Sequence, residues 1–169
     1  LELLNQYQEE GKENVFYNKI DMDKIGITGH SQGGLGVINA ITEQKHSDIY
    51  KAAVILSSTE TNIAKAFMWE TDSTKIHTNT LMITSTGQTD SNIAPLENIQ
   101  KTYNNITDDV TKVIARRNDC DHGEMLYYAD GYVTTWFMYY LQGDSEAKKA
   151  FFGNNAEINS NPLYQDVQV

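Results

Sequence analysis

One short stretch constrains this chain more than any other: Lys24-Ile-Gly-Ile-Thr-Gly-His-Ser-Gln-Gly-Gly-Leu-Gly36. It reads as an apolar strand, a tight turn and a helix, and the turn carries Gly29-His30-Ser31-Gln32-Gly33. A Gly-x-Ser-x-Gly turn between strand and helix is a nucleophile elbow, which lifts a serine hydroxyl off the end of a sheet. A side chain at Gly29 or Gly33 is expected to crowd that turn. The backbone N–H of Gln32, at the helix N-terminus, is then placed to meet a developing oxyanion.

Around the elbow the apolar runs alternate with helical patterns. Ile25–Thr28, Ala52–Ser57, Thr80–Ser85 and Val110–Ala115 read as strands of the buried, parallel kind. Helices are expected over Leu1–Glu10, Gln32–Glu43, Pro95 to about Asn104, and Leu126–Leu141, the last ended by Gly143. Ser58–Thr80 is polar and irregular apart from Ala66–Trp69. Gly87–Pro95 and Arg116–Gly123 read as loops. Asp21 and Asp23 read as turn residues, since the rest of a calcium loop is missing. The pattern predicts an α/β fold with a mostly parallel sheet flanked by helices, with residues 1–153 as the catalytic portion and 154–169 as a polar tail.

Composition removes some classes of function. A formal charge of −10 argues against a nucleic-acid binder. A single cysteine, Cys120, leaves no internal disulfide framework and no multi-cysteine metal site. No apolar run is long enough to span a membrane. The sequence assigns no compartment, and a targeting signal would lie upstream of Leu1.

In open parallel sheets the chemistry gathers at the C-terminal ends of the strands. Three loops qualify: Gly29–Gly33, Gly87–Ala94 and Arg116–Gly123. A serine needs a base to take its proton. Of the four histidines, His46 and His77 precede strands and so fall on the opposite edge. His30 lies inside the elbow, directed away from the Ser31 hydroxyl. His122 follows the fourth strand on the correct edge. The base needs a carboxylate to fix its tautomer. Asp90 follows the third strand, Glu60 after the second is the fallback, and Asp121 is expected to point elsewhere. The order Ser31, Asp90, His122 is the one expected of a serine hydrolase built on this kind of sheet. A metal site from Asp119, Asp121, His122 and Glu124 lacks a helical histidine pair, and Cys120 reads as a packed neighbour.

With these residues in view, the chain resembles the C-terminal half of an α/β-hydrolase. More closely, it resembles the dienelactone-hydrolase-like and polyester-hydrolase (cutinase-like) serine esterases. The likeness is carried by Asp23–Gly34, Gly87–Pro95, Asp121-His-Gly123 and Tyr132–Asp144, which together span most of residues 20–150. The apolar residue and proline after the acid loop appear here as Ile93-Ala-Pro95. The chain departs in carrying Gln32 where polyester hydrolases usually have methionine, and Ser58 and Thr59 where a tryptophan follows the second strand. The paired C-terminal cysteines are absent.

The resemblance implies cleavage of carboxylic esters through an acyl-enzyme. Ser31 acts as nucleophile, His122 as base and Asp90 as its orienting acid, and Gln32 supplies half of the oxyanion hole. No cofactor and no metal are needed. A peptidase or acyltransferase on the same triad, or a non-catalytic binding module on the same fold, are the alternatives. Family members carry further strands and an oxyanion loop before the elbow, where this chain has Leu1–Lys24. An upstream segment or a partner chain is therefore expected to complete the sheet and the oxyanion hole.

Overall fold

The computed structural model describes residues 15–17, 19–59, 61–66 and 70–169. The helix expected over Leu1–Glu10, the fallback acid Glu60 and Phe67–Trp69 lie outside them. Among the described residues the sheet has five strands: β1 (Ile25–His30), β2 (Tyr50–Leu56), β3 (Asn79–Ser85), β4 (Lys112–Arg117) and β5 (Tyr164–Gln168). They stand side by side in chain order. β1 to β4 are parallel, and β5 returns antiparallel along β4. Within the described residues β1 pairs on one side only, with β2.

Both faces of the sheet are covered at β2 and β3, and this explains why these strands are apolar without alternation. Successive residues of β2 point to opposite faces. Ala53 and Ile55 pack with Val37, Ile38 and Ile41 of α1 (Gln32–Thr42), which recur at helical spacing. Val54 and Leu56 face the other way, toward a second core. The strand order advances in one direction, so crossovers of the usual right hand put the connecting helices on one face. Ile99, which follows β3, accordingly joins α1's cluster.

Between β2 and β4 lie α2 (Thr61–Ala66), α3 (Gln88–Ile93) and α4 (Leu96–Asn105). The chain after β4 supplies α5 (Met125–Tyr128), α6 (Asp130–Gln142), α7 (Ser145–Lys148) and α8 (Glu157–Ser160). The second core is built from Tyr132 and Trp136 of α6 with Phe151, against Val54, Leu81, Ile83 and Val113. Phe151 stands edge-on to the fully buried Trp136. Gly143 ends α6 in the left-handed conformation, φ 72°. Among the described residues no helix is long and apolar enough to cross a membrane.

Three segments differ from the sequence reading. Gln88–Ile93, expected as loop, is helical: its polar side chains hide the fact that a neighbouring carboxylate caps its first turn. The expected helix over Leu126–Leu141 is two helices joined at the buried Ala129. The stretch read as a polar tail carries α8 and β5. Tyr164 and Val167 of β5 pack on the second core, and the rings of Tyr164 and Tyr132 meet at 4.7 Å.

Candidate active site

The elbow forms where β1 stops. The N–H of Ser31 donates to the carbonyl of Leu56 at 2.9 Å, so the turn hangs from the end of β2. Ser31 has φ 57° and ψ −122°, a conformation costly for a residue with a side chain and one that turns its hydroxyl outward. A Cβ at Gly29 would lie 2.2 Å from the carbonyl oxygen of Gly33, so only glycine fits there. Gly33 differs from expectation. It is exposed, and a Cβ there would meet nothing within 4 Å. The second tight position is Gly34, whose Cβ would lie 3.0 Å from that of Ser58.

Ser31, Asp90 and His122 come together at the C-terminal edge of the sheet, on the ends of β1, β3 and β4. His122 Nε2 stands 2.8 Å from Ser31 Oγ, and His122 Nδ1 stands 2.7 Å from Asp90 Oδ1. A carboxylate accepts, so Nδ1 carries the proton and the Nε2 lone pair accepts the serine hydroxyl. Asp90 is fully buried, and its second oxygen accepts the N–H of Ser85 at 2.6 Å. That leaves the carboxylate anchored on one side and aimed at the His122 ring on the other. Gln32 is exposed at the first turn of α1, beside Ser31. His46 and His77 precede β2 and β3, at the far edge.

Part of this arrangement lies within a recognisable family: residues 13–108 match the prolyl oligopeptidase family, an α/β-hydrolase-type family of serine hydrolases. The chain belongs to the prolyl oligopeptidase family. The match covers more than half of the chain, includes Ser31 and Asp90, and stops before His122. No curated protein matches the chain. The superfamily is thus the one the motifs resemble, and the family within it is a peptidase family.

Several residues that position this prolyl oligopeptidase-family site are silent in the sequence. Asp121 does point away from the His122 ring, yet its carboxylate accepts the N–H and hydroxyl of Thr89 and the N–H of His122. It ties the first turn of α3, which carries Asp90, to the 3₁₀ turn His122–Glu124. These bonds hold its carboxyl below the usual carboxylate range, the Thr89 hydroxyl most of all. Glu124 closes a capping box on the same turn by accepting the N–H of Asp121 at 2.8 Å. Two of the three acids of the considered metal site, Asp121 and Glu124, are thereby engaged with backbone.

Cys120 is buried, and its carbonyl accepts from the Ser85 hydroxyl and from the Gly87 N–H. A Cβ at Gly87 would lie 2.2 Å from that carbonyl oxygen. His30, read from sequence as lying inside the elbow and directed away from the Ser31 hydroxyl, lies against His122. Its Nε2–H donates to the carbonyl of His122 at 2.8 Å, and the two rings sit 4.5 Å apart. Burial, then the neighbouring His122, pushes the His30 pKa down. The signal that could have found it is position alone, since it immediately precedes the nucleophile. A cavity of about 720 Å³, lined by Arg117, Tyr128, Tyr132 and Tyr164 among others, lies elsewhere. Ser31, Asp90 and His122 do not line it.

Proposed function

We propose that Ser31, His122 and Asp90 form the catalytic triad of a serine hydrolase acting by acyl transfer. The observation that carries this reading is the continuous chain Ser31 Oγ, His122 Nε2, His122 Nδ1, Asp90 Oδ1, with links of 2.8 and 2.7 Å. Such lengths suit proton transfer at a nucleophile and orientation of its base. In the first half-reaction Ser31 Oγ attacks the acyl carbon while His122 Nε2 takes its proton. The tetrahedral oxyanion is met by the N–H of Gln32. His122 then gives the proton to the leaving group, and the bond to it breaks. Water repeats the sequence on the acyl-enzyme and frees Ser31. Asp90 keeps its charge and stabilises the imidazolium.

The substrates favoured by the sequence resemblance are carboxylic esters of small or medium size. The family match favours a second reading, peptide bonds. Comparing the ester and the anilide of one acyl group separates them: an esterase prefers the ester by far more than the intrinsic reactivity difference, whereas a peptidase turns over the anilide at a useful rate. The triad itself is tested with a fluorophosphonate probe. The protein is expected to be labelled at Ser31, and Ser31→Ala to lose both labelling and p-nitrophenyl ester hydrolysis. Removing His122 or Asp90 is expected to lower kcat by roughly 10³–10⁴-fold. Undiminished turnover in Ser31→Ala refutes the assignment, whereas a parent protein with neither labelling nor turnover is the outcome expected of the non-catalytic binding module.

A further inference from the structure

The base stands on a short turn after β4, while the nucleophile stands on the end of β1, three strands away. Asp121 ties the base turn to the acid's helix, which fixes two of the three groups relative to each other. Among the described residues, two side-chain hydrogen bonds join the elbow to the base turn directly. One is the Ser31 to His122 hydrogen bond, and the other is the His30 Nε2–H bond to the His122 carbonyl, with the two rings 4.5 Å apart and tilted by 42°. The first of these cannot last through a reaction cycle. Once Ser31 Oγ has bonded to an acyl carbon, it has no proton to share, and His122 loses that partner. The base must nevertheless keep its place, because in the second half-reaction a water oxygen bonds to the acyl carbon and its proton passes to His122 Nε2. The C–Oγ bond then breaks, and Oγ takes that proton back.

We propose that His30 is the positioning residue that holds His122 in register with the elbow while Ser31 is acylated. The proposal rests on the triad reading above. The contact suits this task because it uses His122's backbone carbonyl, leaving both ring nitrogens free for Asp90 and for the reacting proton. A neutral His30 also puts no second positive charge against the imidazolium, and its burial favours that neutral form.

The test compares His30→Gln with His30→Asn in the purified protein. A glutamine amide reaches about as far as imidazole Nε2 and can still donate to the carbonyl, whereas the asparagine amide stops short. With a p-nitrophenyl ester, His30→Asn is expected to keep its acylation burst and its fluorophosphonate labelling. Its steady-state kcat should fall by roughly 10–10²-fold, the cost of a misplaced group. His30→Gln is expected to recover most of that loss, with melting temperatures of the two variants alike. A kcat for His30→Asn within twofold of the parent overturns the proposal, as does an equal loss in both variants. If Ser31→Ala itself remains labelled and active, the triad reading has failed. If the triad stands and His30→Asn behaves as the parent, only the role of His30 has failed.

Discussion

Glycines at the elbow show how two identical residues in one motif can answer to different demands. Gly29 faces the backbone of Gly33 at a distance no Cβ tolerates, whereas Gly33 looks into open space on the first turn of a helix. Gly29→Ala is therefore expected to distort the turn and cut activity by at least about 10²-fold, the cost of misplacing a reacting group. Gly33→Ala is expected to leave stability unchanged or raise it by up to about 1 kcal/mol, by restricting the unfolded chain. Thermal melts and ester turnover of the pair check both. Cys120 offers a second test at this scale. Burial first, and then nearby acids such as Glu124, push its thiol up to about 11, so the reactive thiolate is scarce in the folded protein at pH 8. Iodoacetamide is expected to modify Cys120 only after denaturation. The sign for stability follows from proton binding. Between the ordinary thiol pKa and about 11 the unfolded chain binds fewer protons than the folded one, so this group's contribution declines as pH rises through that window.

At the scale of elements, β5 and the acid's helix are joined through one side chain. Arg116 donates to the carbonyl of Ser85 from Nε and Nη2, to the Ser91 hydroxyl from Nη2, and to Asp166 of β5 from Nη1 at 3.4 Å. The inner contacts frame the turn that presents Asp90, and the outer one lies near the surface. Arg116→Ala leaves the Ser85 carbonyl short of donors and is expected to cost about 1–3 kcal/mol. Asp166→Ala removes a partly exposed pair and is expected to cost at most about 1 kcal/mol. Urea titrations of the two variants distinguish these outcomes.

The same elements show what was legible in the sequence. Strands buried on both faces announce themselves as apolar runs, and a serine, an acid and a histidine following three of them mark one edge of the sheet. Strand β5 does not announce itself, because only Tyr164 and Val167 of its five residues pack inward, and its partner is β4, far back along the chain. The helix bearing Asp90 was hidden in the same way, since its cap comes from Asp121. His30 and Asp121 act through contacts between residues 92 and 32 positions apart, which no local pattern encodes.

For the molecule as a whole, the decisive feature is that the strands lie across the sheet in the order in which they occur along the chain. Each new strand meets the one made just before it, so loop closure is inexpensive and the sheet can grow outward from β1. During synthesis, with the N-terminal part emerging first, the elbow can form as soon as α1 and β2 have left the ribosome. Its serine then has neither acid nor base beside it. In the proposed triad the acid arrives with β3 and α3, and the base only with the turn after β4, nearly three-quarters of the way along the sequence. A nascent or prematurely terminated chain ending before His122 therefore exposes a well-formed but inert hydroxyl. On the proposed triad the molecule acquires its reactivity late, when most of the sheet that orients the site is already in place.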